Sequence, residues 1–399
     1  MKEISQINIM LPEVARRLGD PSFTRYLLTN KESVLGFFQR PHDFLKETLR
    51  TLSIGEKAAI AVLFMRGGAV ATPVSFFESD AEAVTALGAD IPQTRASFSN
   101  LDGSFLQLLP DGDRQLWRYR HPTIRDAFAD IVAEDPEQLD IYLAGAPTDT
   151  MLGEVTCGNV FLRGARVIVP ESRFQNVIKR LTDLVDEGRW YRVEPFLASR
   201  CSEQFIRRYF ADRPGDLDSV LNFYRWDQDK LSIIEKLAGS NAFGTQERRK
   251  FSKKVRELAV RTWDPLFMQK SVRSLIGPRT FRRMLDELAT DLASYGQGWV
   301  ETLVESYEGE QEPDSYLDIY KEQLKDLLKA FEDANYPAVD EVRNSVTAIQ
   351  ELMDDYEDTL YDRYYSSPDD DGELQAAEAV TRSSGHGEEP RDIFDDVDE

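Results

Sequence analysis

The stretch whose reading decides the fold is Ser104-Phe-Leu-Gln-Leu-Leu-Pro-Asp-Gly-Asp-Arg-Gln-Leu-Trp-Arg-Tyr-Arg-His-Pro-Thr123, continued by Ile124–Ala133. Pro110-Asp-Gly-Asp113 is turn chemistry. Phe105 and Leu108 stand on one side of it, and Leu116, Trp117 and Tyr119 on the other. The pattern predicts a hairpin with strands over Ser104–Leu109 and Gln115–Arg120. His121-Pro122 then opens a helix over Thr123–Ala133, with Ile124, Phe128, Ile131 and Val132 as its buried stripe.

Upstream, the signals are helical. Ser53 with Glu56 three residues on is a capping box for Ile54–Met65, which stops at Gly67-Gly68. Ser79–Leu87 and Pro92–Leu101 are short helices. His42–Leu52 carries a stripe of Phe44, Leu45, Leu49 and Leu52. Before it, Ser5–Leu18 and Phe23–Phe38 read as helices parted by Gly19-Asp20-Pro21. Helices followed by one hairpin give the order of a winged helix, with the hairpin as the wing.

Downstream, Ala165–Val169 is a short β-like piece. From Glu171 to Tyr307 amphipathic helical segments recur, with Gly, Pro or Asn between most of them and no fixed period, so an irregular helical array is expected. Its segments include Gln246–Thr262, Pro265–Ile276 and Arg279–Tyr295. Tyr316–Ala330 and Val339–Tyr364 close the ordered part. In the second, Val339, Val342, Val346, Ile349, Met353, Tyr356 and Leu360 step alternately by three and four, a heptad seam. It serves either a hairpin packed within the chain or an oligomerisation coil. Beyond Ser366 the Asp, Glu, Gly and Ser content predicts a disordered tail. Ile393, Phe394 and Val397 lie among acids at its end, as a short docking motif or as part of a solubilising tail.

Charge resolves by position. The 399 residues carry 48 Lys or Arg and 71 Asp or Glu, a net of −23. Residues 308–399 hold 7 bases and 29 acids, a net of −22, so the body before them is nearly neutral. Within that body, Arg248–Arg283 holds 12 bases against Glu257 and Asp264, a net of +10. Arg248, Arg249, Lys250, Lys253, Lys254, Arg256 and Arg261 form its basic patch, and positions 249, 253 and 256 share one helix face. Such a patch is a nucleic-acid groove, a solvated face, or the intramolecular counterpart of the acidic region.

Several chemistries are excluded. The longest apolar run, Ala58–Met65, falls far short of the roughly 20 residues of a membrane helix. Met1–Leu11 has no signal core, so a cytoplasmic protein without membrane partners is expected. Cys157 and Cys201, with His42, His121 and His386, cannot build a zinc module. They read as reduced thiols, with a lone disulfide the other option. The chain has no Gly-Lys dipeptide and hence no P-loop. No Lys follows an acid at the two-residue offset of a Mg²⁺-dependent nuclease core. His42-Asp43 lacks further metal ligands, and a Cys157–His121 pair would need a chance encounter in the fold. No catalytic or metal-binding residues are assigned, and the chain is read as a non-enzyme.

Leu116-Trp-Arg-Tyr-Arg-His-Pro-Thr-Ile-Arg-Asp-Ala-Phe-Ala129 resembles the end of the winged-helix domain of STAND signal-transduction NTPases, bacterial branch. Phe37-Phe-Gln-Arg-Pro41, Leu49-Arg-Thr-Leu-Ser53, Val155-Thr-Cys-Gly158 and Val167-Ile-Val-Pro170 fit the same resemblance, which spans roughly residues 30–185. It implies that His121 is the nucleotide-sensing position, contacting the β-phosphate of ADP. Pro122 stands where many relatives have Asp, and the family's P-loop domain is missing. No cofactor is expected in this chain, and ADP or ATP only through a partner NTPase. His121 is otherwise the cap of a structural helix.

The resulting reading is a mostly α protein: a winged-helix domain with one β-hairpin, then an α-helical array and a C-terminal helical hairpin. Its parts are an N-terminal helical segment (1–40, a lid remnant), the winged helix (41–135), the array (136–307), the acidic hairpin (308–365) and the tail (366–399). The expected function is that of a regulatory or sensor part of a STAND-like switch, in antiphage defence by family analogy. Its expected partner is a separately encoded P-loop NTPase or an effector subunit. The alternative is a winged-helix nucleic-acid-associated regulator with an autoinhibitory acidic tail.

Overall fold

The computed structural model describes residues 12–24, 27, 30–160, 162 and 167–366. The expectations for residues 5–11 and for the tail beyond 366 lie outside them. The protein is mostly helical with a small antiparallel sheet. Its internal contacts divide it into two units, residues 1–223 with 227–245, and residues 224–226 with 246–399. The division falls within the segment 136–307.

The first unit begins with α1 (Pro12–Leu18), α2 (Pro21–Thr24), α3 (Lys31–Gln39) and α4 (Pro41–Thr51). The single helix expected over Phe23–Phe38 does not form. Asn30 instead caps a new helix, its side chain accepting from Ser33 N at 2.8 Å. Then come α5 (Ile54–Met65), β1 (Ala69–Thr72), α6 (Glu78–Ala86), α7 (Ile91–Asn100), β2 (Leu106–Asp111), β3 (Arg114–Tyr119) and α8 (Pro122–Glu134). Helix, strand, helix, helix and hairpin in that order make a winged helix. The sheet order is β1-β3-β2, all antiparallel, with Val70 opposite Trp117 and Leu108 opposite the same Trp117 from the other side. β1, for which the sequence carries no strand signal, turns the expected hairpin into a three-stranded sheet.

α5 is the centre of this unit. The Ser53–Glu56 capping box starts it as expected. From Ala58 to Met65 no residue is more than 7 % exposed, so the helix is buried all round rather than along one stripe. It packs against α7, α6, α8, α9 and β1. Close approach depends on small residues. A Cβ on Gly55 would lie 2.7 Å from Gln93 Cγ, and one on Gly145 2.9 Å from Met65 Sδ.

Two helices not predicted from sequence follow, α9 (Pro136–Gly145) and α10 (Thr148–Glu154). Asp135 ends α8 and also caps α9, accepting from Glu137 N at 2.9 Å, with Pro136 in the first turn. β4 (Val155–Cys157) pairs in parallel with β5 (Val167–Val169). The rest of the unit is α11 (Phe174–Asp186), α12 (Trp190–Arg200), α13 (Glu203–Asp212), α14 (Asp216–Leu221) and α15 (Gln228–Gly239).

The second unit contains α16 (Thr245–Thr262), a 3-10 turn (Pro265–Met268), α17 (Lys270–Ile276), α18 (Pro278–Glu305), α19 (Pro313–Asp333) and α20 (Val339–Ser366). The segment expected as one helix over Pro265–Ile276 is split, because Asp264 caps the 3-10 turn and Gln269 ends it. The helix expected to stop at Tyr295 runs ten residues further, to Glu305. Gly296 does not break it. It is the contact with α20, where an added Cβ would lie 2.6 Å from Ile349 Cγ1. The heptad seam is spent inside the chain: Val342, Val346, Ile349, Met353 and Leu360 are at most 4 % exposed, and α20 packs on both α18 and α19.

Gly296→Ala should therefore destabilise the chain by about 1–3 kcal/mol, as overpacking does. Urea unfolding will read this, and adding Ile349→Val should recover part of the loss. A Gly296→Ala chain as stable as wild type would contradict this packing.

Candidate functional site

β3 delivers His121 to the start of α8. Its backbone is extended (φ −145°, ψ 141°), as both an N-cap and a residue before proline require. Pro122 supplies no amide hydrogen, so the first donor to be capped is Thr123 N. It donates to His121 Nδ1 at 3.3 Å, and Thr123 Oγ1 lies 2.9 Å from the same nitrogen. With Nδ1 accepting, the neutral ring carries its proton on Nε2. From α1, Arg17 reaches the same corner. It is 4 % exposed, donates from Nη2 to Thr123 Oγ1 at 2.6 Å, and lies over the Phe23 ring. His121 is thus the cap of α8.

The surface by which a winged helix reads DNA is nearly neutral here. α7 exposes Pro92, Gln93, Arg95, Ala96, Ser99 and Asn100. Its cation, Arg95, donates from Nε to Val74 O at 3.3 Å and stacks on Phe76. The wing turn exposes Asp111 and Asp113.

Other candidates are taken up by structure. His42 Nε2 meets Asp130 at 2.6 Å, while Lys46 and Arg50 both bind Glu134, so this polar seam fastens α4 to α8. Cys157 is brought to Cys201 rather than to His121. The two are backbone bridge partners and both are fully buried free thiols. Burial first, and the Cys157 thiol second, push Cys201 well above the ordinary thiol range, the opposite of an activated nucleophile. Glu154 pairs with Arg125, yet burial outweighs Arg125 and Arg200 and raises its carboxyl above the ordinary glutamate value.

The basic patch lies on α16 but is partly tied down. Arg248 donates to Leu275 O at 3.0 Å, Lys253 pairs with Glu257, and Arg256 pairs with Glu287. Lys254 lies over the Tyr224 ring, and Arg261 donates to Tyr224 O at 2.7 Å. Arg249 and Lys250 are exposed. Glu257, Asp286 and Glu287 of α16 and α18 serve Lys253, Arg256, Arg282 and Arg283, rather than acids of the C-terminal hairpin. A second set of cations, not singled out from the sequence, gathers where α17 meets α18. Lys270, Arg273 and Arg282 line one cavity there. The available signal was Gly277-Pro278, a helix start with no acid in the turn after it.

No protein-family model, no curated protein and no solved structure matches this chain. No helix of the described residues is long and apolar enough to cross a membrane.

Two outcomes follow from this geometry. His121→Ala removes a cap and should lower stability by about 1 kcal/mol, whereas His121→Asp, itself a strong N-cap, should not; thermal unfolding of both variants distinguishes them. Glu154's raised carboxyl favours the protonated fold. Its contribution is full below the ordinary value of 4.5 and is lost as pH rises through the raised value. The stability of wild type relative to Glu154→Gln should therefore fall as pH rises from about 4.5 toward neutrality, whatever constant offset the lost Arg125 pair adds. A pH-independent difference would refute the assignment.

Proposed function

We propose that this chain is a non-catalytic regulatory and sensor subunit of a STAND-like switch, binding proteins rather than DNA through its winged helix. It acts with a separately encoded P-loop NTPase, and antiphage defence is its setting by family analogy. The observation that carries the protein-binding part is the neutral exposed face of α7. Phosphate contacts supply most DNA affinity, and Arg95, the cation of that helix, is already engaged. The nucleotide-sensing role of His121 is supported by its place at the β3–α8 corner and by the contact of Thr123 N with Nδ1, which fits a ring protonated on Nε2. A proton on Nε2 is the donor form that a phosphate oxygen needs.

The test is reconstitution with a P-loop NTPase that co-purifies from the native host. His121→Asp keeps the cap but repels phosphate. It should weaken the ADP-bound complex roughly ten- to a hundredfold, the worth of a hydrogen bond to a charged group, and leave the nucleotide-free complex unchanged. Equal affinity with ADP present sinks the sensing role, and ATP hydrolysis by the purified chain alone sinks the non-catalytic reading.

A second reading, a nucleic-acid-associated regulator, draws on one observation. Arg249, Lys270 and Arg279 are exposed and meet no carboxylate among the described residues. It requires DNA binding whose salt slope drops by about 0.9 for each phosphate contact removed. The absence of binding at low salt would dismiss it.

A further inference from the structure

A cavity of about 450 Å³ opens in the second unit between α17, the start of α18 and the end of α19. Three of its lining residues are cations, Lys270, Arg273 and Arg282, and none is an acid. Its apolar wall is formed by Phe281, Leu285 and Ala334. Local partners leave positive charge over. Arg282 pairs with Asp286 at 3.2 Å and lies over the Tyr336 ring. Arg273 stacks on Phe281, while its buried Nε has no hydrogen-bond partner among the described residues. Lys270 is exposed and meets no carboxylate among them.

The helix that opens at this cavity adds to the excess. α18 is 28 residues long, and its N-terminus carries partial positive charge. An acid or a capping side chain ordinarily offsets that charge. Here the N-cap is Gly277, at φ 78°, with no side-chain cap and no acid in the first turn. Arg279, Arg282 and Arg283 follow instead. Cations stacked on the positive end of a long helix are unfavourable alone, and a negatively charged occupant relieves them.

A strongly acidic segment lies outside the described residues. Residues 367–399 carry 12 acids and 2 bases, a net of −10. Their last eight, Asp392–Glu399, set Ile393, Phe394 and Val397 among five acids. That mixture of apolar and acidic residues fits a cavity lined by three cations and by Phe281 and Leu285. The tether is long enough. α20 starts near Ala334, and its 28 residues carry the chain about 42 Å away at 1.5 Å per residue. The 26 residues from 367 to 392 extend to as much as about 90 Å.

We propose that Asp392–Glu399 docks in this cavity of its own chain, with Ile393 and Phe394 against the apolar wall and the neighbouring carboxylates on Lys270, Arg273 and Arg282. The contact is intramolecular, so a weak motif suffices, because covalent tethering replaces bulk concentration by an effective one, on the order of millimolar. The docked segment neutralises the cations of α17 and α18 and competes with other anions for them. This proposal is independent of any NTPase partner.

The test uses the full-length chain and a fluorescent peptide of residues 388–399. Ile393→Ser with Phe394→Ser alters the resident segment outside the described fold and should empty the cavity. The peptide should bind this variant about tenfold or more tighter than wild type, because the tethered competitor is gone. Lys270→Glu, at an exposed position, should weaken peptide binding to the double variant about tenfold without lowering thermal stability, and 0.5 M salt should weaken it comparably. Equal peptide binding to wild type and the double variant, or no effect of Lys270→Glu, overturns the proposal. So does wild-type binding of pyrophosphate or a short DNA duplex as tight as that of the double variant, since the segment would then not compete for the cations.

Discussion

The burial of α5 on every side is the constraint on which the first unit depends. A helix with no solvent face cannot be placed by amphipathicity, so its neighbours must surround it. α6, α7, α8 and α9 all pack against it, α9 also touches α6 and α8, and β1 follows its end. Tyr119 on β3 ties its hydroxyl to Ile60 O at 3.2 Å, so the sheet is fastened to the middle of this helix as well. Gly55 and Gly145 set how closely those neighbours approach. The position of His121 is a downstream result. It stands where it does because β3 is paired to β2 and β1, and because α8 must lie against α5.

The second unit solves the same problem differently. Its long helices each keep a solvent face and share a seam. Trp263, Trp299, Tyr320, Tyr316 and Tyr307 run through it as successive ring contacts 4.7 to 5.8 Å apart between centroids. Trp263 is held in the left-handed region (φ 51°), with its indole donating to Asp291 at 2.8 Å. Charge is distributed unevenly over this frame. Bases gather on α16, α17 and the start of α18, and acids on α19 and α20. Most of the ion pairs formed are short-range, within a helix or between neighbours, so the two regions keep their opposite signs.

What the sequence made legible follows from how local each signal is. The Ser53–Glu56 box, the His121-Pro122 helix start and the heptad seam of α20 are each contained in a few residues or a fixed period, and all three are in the structure. The hairpin forms too, but its loop is Gly112-Asp113 alone, because Pro110 and Asp111, expected in the turn, pair with Gln115 and Arg114. β1 was not legible. Ala69-Val-Ala-Thr72 is four small residues, and it is a strand only because β3 offers an edge some 45 residues on. α9 had a clear start in Asp135-Pro136, but that pair also terminates α8, and the two meanings cannot be separated by pattern alone. The cation-lined cavity drew on residues 270–285 and 334, so a positional charge count registered its cations without their convergence. His121 was singled out in the sequence as a phosphate contact or a helix cap. The structure supplies the cap, through Thr123 N.

The meeting of Cys157 and Cys201 has a practical consequence. These are the chain's two cysteines, and both are sealed at the junction of β4 and α12. The native surface therefore offers thiol reagents nothing to attack, and a cysteine introduced at any exposed position becomes a unique address. Spectroscopic reporters could be attached one at a time without first removing natural thiols, and so without disturbing a buried contact that holds β4 against the end of α12.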